Sequence, residues 1–442
     1  MTISFPAHDG PALYREAKKL IPGGTQLLSK RPEMFLPEKW PAYYREASGC
    51  EVVGLDGARY VDMSIMGVSA CLLGYADPDV TEAVVKRVRA GSMCTLNSPE
   101  EVELAQLLLG LHPWAHRVRF GRCGGEVMAT AVRIARAKTR RDKVAFCGYH
   151  GWHDWYLAAN LGESDELDGH LLPGLAPRGV PSQLRGTALP FTYNKPEELE
   201  KIVVQHGDSL AAVVMEPTRS VDPASGFLEA VRDLSRKSGA VLIFDEITIG
   251  WRLALGGAHL KYGVAPDLAV YAKTLGNGHP IAAIVGAEEV MDASQESFIS
   301  STYWTEGVGP TAALATIRKM QQVDVRSHVK HVGETVRSGL LDAAKKNGVP
   351  LKTAGHACIA TYAFDHPDGL ALQTLFIDRM LSRGFLTGGQ VSASLAHKDE
   401  HITAYLNAAG KVFQELAEAI EKNDVMSRLE GPVRHAGFAR LA

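Results

Sequence analysis

A chain of 442 residues is too long for one ordinary hydrophobic core, and 46% apolar residues supply material for two packed regions, which excludes a disordered or fibrous protein. Lys and Arg (47) nearly balance Asp and Glu (50), so the formal net charge of −3 gives no long-range field to draw in nucleic acid or an anionic membrane. The six cysteines form no C-x-x-C pair and suit free thiols rather than a disulfide frame.

The first residues, MTISFPAHDG, lack the basic start and apolar core of a signal peptide. The longest uncharged stretch, MSIMGVSACLLGYA (63–76), is too short and too Gly-broken to span a bilayer. A soluble, cytoplasmic protein is expected. Next, VRF (118–120) reads as a strand followed by a Gly124-Gly125 turn and a helix whose apolar face is Val127, Ala131, Ile134 and Ala135, with Arg133, Arg136 and Arg140 opposite. Bare glycine amides at a helix start, aided by the helix dipole, can cradle a phosphate; an ordinary turn would need the same residues. KVAFC (143–147) is the next strand, and Tyr149, His150, Trp152, His153 and Trp155 crowd behind it, able to stack on a flat ring or simply to pack. His150, His153 and Asp154 have no further His/Cys cluster to complete a metal site, so no metal is expected.

Residues 157–194 are too many for a simple connection. Beyond them AAVVMEP (211–217), AVLIFDE (240–246), LAVYAK (268–273) and IAAIVGA (281–287) read as buried strands, with helices at 196–206 and 226–239 between them. Such alternation predicts an α/β fold with a mostly parallel sheet covered by helices. After about residue 325 two long amphipathic helices (328–348 and 402–423) flank one β-like run, CIATYAF (358–364). The expected division is therefore a large domain at 76–325 and a smaller α/β domain assembled from 1–75 and 326–442.

Ligands bind parallel sheets at the carboxyl ends of the strands. Here those ends carry Glu216, Asp245 with Glu246, and Lys273. In a shared cleft of low dielectric, an acid and a lysine shift each other's pKa, and a lysine so placed can act as a carbonyl-trapping nucleophile. A buried structural ion pair would account for the same residues.

In order and spacing, LIFDEITIGWR (242–252) and APDLAVYAKTLGNGHPIAAIVG (265–286) resemble the aspartate and lysine motifs of class III pyridoxal-phosphate (PLP) aminotransferases of fold type I, in the subgroup that includes glutamate-1-semialdehyde aminomutase; the likeness runs from about Pro22 to the C-terminus. The resemblance implies that Lys273 binds PLP covalently and shuttles a proton, that Asp245 faces the pyridine nitrogen, and that Ile247 and Tyr149 lie on either side of the ring, with His150 of the Tyr-His-Gly motif also at the cofactor. It implies phosphate binding by the Gly124 and Gly125 amides and by Thr302 of a neighbouring subunit, hence a homodimer with shared sites, and it sets Glu216 near the ring hydroxyl and the substrate. Two departures stand out. Cys123-Gly124-Gly125-Glu126-Val127 replaces the family's Ser-Gly-Thr-Glu-Ala and loses one hydroxyl contact to phosphate, and Lys30, with Arg31 beside it, stands where the family has a carboxylate-binding arginine.

The 157–194 segment resembles the family's gating loop. The wording of KWPAYY, HLLPGL and STYWTEGVGPTAALATI resembles a subgroup of surface-carbohydrate biosynthesis, in which glutamate would donate an amino group to a sugar aldehyde; Trp40, Trp304, Thr305 and Glu306 are then candidates for the acceptor pocket. An intramolecular aminomutase would use the same residues without an external donor. A non-catalytic cofactor- or carbohydrate-binding protein would bind without turnover.

Overall fold

The apolar runs between residues 117 and 286 form one seven-stranded sheet in the computed structural model, which describes residues 9–162, 167 and 174–437. Across the sheet the strands run Arg117–Gly121, Ala282–Gly286, Leu268–Tyr271, Val241–Asp245, Leu210–Met215, Lys143–Cys147 and Ala188–Pro190. All are parallel except Ala282–Gly286, which is antiparallel to both neighbours. Its direction follows from the link before it. Ala272–Ile281 is too short for a crossover, and it turns back through Asn277 (φ 45°) and Gly278 (φ 102°).

Both faces of the sheet are covered, and the two-residue period of the strands decides which side chain goes where. Ala212, Val214, Ile243 and Val270 pack with Val127, Ala131, Ile134 and Ala135 of the helix Gly124–Thr139. Val213, Met215, Leu242 and Phe244 point the other way, onto Leu199 and Val203 of Pro196–His206 and Phe227, Leu228 and Val231 of Phe227–Ser238. The apolar stripe expected of the first helix is thus the buried one. The strand Ala188–Pro190 was not legible in sequence, because three residues at a sheet edge carry too little pattern. It lies in the 157–194 segment read as a gating loop, of which 163–166 and 168–173, including most of HLLPGL, lie outside the described residues.

The chain divides into two compact units, Pro78–Arg326, which holds this sheet, and a second formed from both ends of the chain, Met1–Asp77 with Ser327–Ala442. The second unit has a four-stranded sheet in the order Tyr44–Ser48, Glu51–Gly54, Arg59–Asp62 and Phe385–Leu386. A three-stranded sheet, Leu351–Ala354, Ile359–Phe364 and Gln390–Ser392, packs through Phe364 onto Phe376 of Gly369–Leu381 and Phe413 of Asp399–Glu421. Only the middle strand of the three was anticipated, because its neighbours are short and Leu351–Ala354 alternates half-buried and exposed residues. Among the described residues no helix is long and apolar enough to cross a membrane.

Candidate active site

Sheet register brings the strand-end charges together. Cys147 pairs with Met215 and Met215 with Phe244, so Gly148, Glu216 and Asp245 follow in one row at the carboxyl edge. Asp245 in turn pairs with Val270, three residues before Lys273. The lysine therefore leaves the sheet beside the aspartate.

Lys273 holds a backbone φ of 49°, the left-handed region that non-glycine residues avoid, and such strain persists only where surrounding contacts enforce it. Its Nζ donates to Thr248 Oγ1 at 3.0 Å. Burial pushes the amine down to about 8, and Arg219 adds to the effect by repulsion, while Glu216 and Asp245 oppose it. A lysine so held has an appreciable neutral, nucleophilic fraction near pH 7 to 8.

Asp245 is buried and held by two contacts, one of them from a ring that is itself anchored. His150 Nδ1 lies 2.8 Å from its Oδ2, Ile247 N–H donates to its Oδ1 at 2.9 Å, and the far nitrogen of His150 faces the Cys147 carbonyl at 3.0 Å. Glu216, also buried, receives Arg219 Nη1 at 2.7 Å, yet burial raises its carboxyl above the usual range, helped by nearby Asp245. Tyr149 packs edge-on against Tyr156, whose hydroxyl is fixed on the Gly148 carbonyl at 3.0 Å.

The turn before the helix Gly124–Thr139 lies against Ile247, two residues beyond Asp245. Glu126 Oε2 takes the amides of Arg122 (2.7 Å) and Cys123 (3.2 Å), which leaves Gly124 and Gly125 at the first turn, where amides have no partner within a helix. Neither position has room for a side chain. A Cβ on Gly124 would stand 2.9 Å from Ile247 Cδ1, and one on Gly125 would stand 2.9 Å from the His153 ring, whose Nδ1 is shut off from solvent and has no hydrogen-bond partner among the described residues. A bare-backbone cradle, an orphaned imidazole nitrogen, and a lysine and an aspartate at adjacent strand ends together fit a flat, phosphate-bearing carbonyl cofactor.

Sequence reasoning had no role for several of these groups. Thr248 and Arg252 lie within the quoted aspartate motif, and buried Arg252 ties its two loops together, Nε to the Thr248 carbonyl at 3.0 Å and Nη2 to Thr274 Oγ1 at 3.2 Å. Arg219 was detectable as a charge three residues beyond a strand-end acid. Glu246, read as one of the strand-end acids, is turned away from the row. Its carboxylate accepts Ala258 N–H, His259 N–H and His259 Nδ1 at 2.9, 2.8 and 2.7 Å, a structural clamp.

The acceptor-pocket candidates fare differently. Trp304 Nε1 donates to Glu126 Oε1 at 2.8 Å, and Glu306 caps the helix Val308–Gln322 through the amides of Val308 (2.6 Å) and Gly309 (2.9 Å) while pairing with Arg122 Nε at 3.0 Å. Both oxygens of Glu306 thereby accept hydrogen bonds within the chain. Thr302 is exposed and so is Thr305. In the second unit, Lys30 is exposed whereas Arg31 is buried, its Nε unpaired among the described residues, so the inward cation of that pair is the arginine; Trp40 stacks on Phe35 at 4.4 Å.

Residues 37–408 match the family model of aminotransferase class-III. The chain is 34% identical over 353 residues to glutamate-1-semialdehyde 2,1-aminomutase of Ignicoccus hospitalis, covering 77% of this chain and 81% of that protein. It is 32% identical over 335 residues to 2'-deamino-2'-hydroxyneamine transaminase of Streptomyces kanamyceticus, covering 75% and 80% respectively. A transaminase solved with PLP bound superposes with a TM-score of 0.81 at 26% identity, over 92% of this chain and 97% of that one. Fold and site together define a fold type I PLP-dependent enzyme. The chain belongs to the class III aminotransferases, and pyridoxal 5'-phosphate is its cofactor.

Proposed function

We propose that this aminotransferase moves an amino group from L-glutamate to the aldehyde of a sugar, in the manner of 8-amino-3,8-dideoxy-manno-octulosonate transaminase, which would form its product from an 8-oxo octulosonate, in the cytoplasm and in the service of surface polysaccharide (lipopolysaccharide) synthesis. The observation that carries the aminotransferase chemistry is Lys273, with its amine lowered to about 8, at the strand end beside Asp245 and Glu216. A carbohydrate acceptor is supported by the Streptomyces relative, whose name sets a hydroxyl where neamine carries an amine.

In this reading Lys273 Nζ would hold PLP covalently, Asp245 backed by His150 would face its ring nitrogen, Ile247 and Tyr149 would line its two faces, and the Gly124 and Gly125 amides would take its phosphate. Bound PLP supplies an electron sink for bond breaking at the amino carbon. Thr248 holds the Lys273 amine in place, and that amine moves the proton at the substrate carbon. Arg219 keeps Glu216 in the row and offers its remaining donors to an anionic substrate. Arg252 fixes the two loops from which Thr248 and Lys273 project.

A homodimer belongs to the same proposal. Thr302 stands exposed between Phe298 and Tyr303, which are 85% and 68% exposed, the kind of surface a second copy would cover. Sedimentation at micromolar concentration checks it; a monomer would remove Thr302 from the site.

The decisive experiment is the visible spectrum of the purified protein with borohydride trapping and peptide mapping. A yellow species fixed on the peptide containing Lys273 is expected, and a colourless protein indifferent to added PLP would overturn the proposal. A donor screen then separates the readings. Glutamate consumption with release of 2-oxoglutarate supports transfer, whereas nitrogen returning to the same molecule without a donor supports the aminomutase reading favoured by the Ignicoccus relative.

A further inference from the structure

The family's phosphate-binding threonine is missing at position 125, and the space it would need is not empty. A Cβ built on Gly125 falls 2.9 Å from both Cε1 and Nδ1 of His153, so the edge of that imidazole lies where a side chain at 125 would begin. Two features hold the ring there. Gly151, at φ 104°, lets the chain run so close that its own Cβ would meet Gly125 Cα at 3.2 Å, and Trp152 stacks on the His153 ring with centroids 4.2 Å apart at 26°. Nδ1 is inaccessible to solvent and unpaired among the described residues, although a buried polar nitrogen without a partner is rare and costly. The backbone carbonyl of His153 accepts the amides of Tyr156 and Leu157 at 2.9 and 3.2 Å, which fixes the residue from its other side.

We infer that His153 replaces the absent hydroxyl as the side-chain donor to the cofactor phosphate, its Nδ1–H pointing to a phosphate oxygen beside the Gly124 and Gly125 amides. This rests on the proposed phosphate seat at that turn. An imidazole can fill the post because it combines a donor with a flat edge that slides between two glycines. A threonine at 125 would collide with it, so the glycine and the histidine form one exchangeable unit. Burial lowers the His153 pKa, which favours a neutral ring in the cofactor-free protein, and a phosphate dianion opposes that shift once bound.

The test compares the affinity of cofactor-free protein for PLP and for pyridoxal, which lacks the phosphate, by absorbance titration. Wild type is expected to prefer PLP strongly. His153→Ala and His153→Phe, the latter keeping the ring and its stacking on Trp152, should each weaken PLP binding about tenfold or more while leaving pyridoxal binding unchanged. Adding Gly125→Thr to His153→Ala should recover much of the lost PLP affinity, because the hydroxyl then has room. Equal weakening of PLP and pyridoxal, or unchanged PLP affinity in a folded His153→Phe protein, overturns the inference while the seat stands. A wild type that does not distinguish PLP from pyridoxal overturns the seat as well.

Discussion

His150 touches Asp245 from behind: Nδ1 lies 2.8 Å from Oδ2 while Nε2 faces the Cys147 carbonyl at 3.0 Å. A carbonyl can only accept, so Nε2 carries a proton, and the ring is locked between the ends of two different strands. Asp245→Asn keeps the shape but removes the negative charge that would face the cofactor's ring nitrogen. Turnover of the donor half-reaction should fall by about 10²- to 10³-fold with little change in melting temperature, measured by single-turnover spectroscopy.

Lys273 should betray its lowered pKa in the rate at which cofactor-free protein captures PLP. That rate should climb through pH 8 and level off above it, where an ordinary lysine would still be rising toward 10.5. The stability consequence has the same origin. Below pH 8 the folded state bears the full penalty of a buried ammonium, and between 8 and 10.5 the unfolded chain holds more protons, so stability rises with pH. Lys273→Met should therefore melt a few degrees higher than cofactor-free wild type at pH 7, with the gap closing by pH 10, while abolishing borohydride-stable labelling.

Arg219 acts on both members of the row. Arg219→Met should move the midpoint of PLP capture to higher pH, because the repulsion that helps depress Lys273 is gone. It also strips Glu216 of its counter-ion. A carboxyl whose folded pKa is raised contributes stability that is present below its unfolded value of 4.5 and is lost as pH rises through the folded one. The variant should thus lose about 1–3 kcal/mol relative to wild type at pH 8 and less at pH 5 in urea titrations, and Glu216→Gln in the same chain should flatten that dependence.

Glu246 is the control that separates chemistry from architecture. Its three hydrogen bonds to Ala258 and His259 bind the loop after the Asp245 strand and occupy both of its oxygens. Glu246→Ala leaves those donors unpaired and should destabilise the protein by about 3–5 kcal/mol, read by chemical denaturation, whereas Glu246→Gln should retain most of the activity per folded molecule.

The sequence by itself determined the parallel strands, the stripe of Val127, Ala131, Ile134 and Ala135, and the charges Glu216, Asp245 and Lys273 at strand ends, because these are local patterns of period two or 3.6 closed by a polar residue. Only the tertiary structure decided what each charge faces. Glu246 and Asp245 are neighbours in the chain, yet the alternation of the strand sends one to a histidine clamp and the other to the row beside Lys273. Glu306 caps a helix, and His153, which in sequence could stack on a flat ring, pack or bind a metal, has its ring in the space left by Gly125, 28 positions away, which nothing in the order of residues says. Contacts of that kind are made by chain packing across long separations, where side-chain pattern carries no record of the partner.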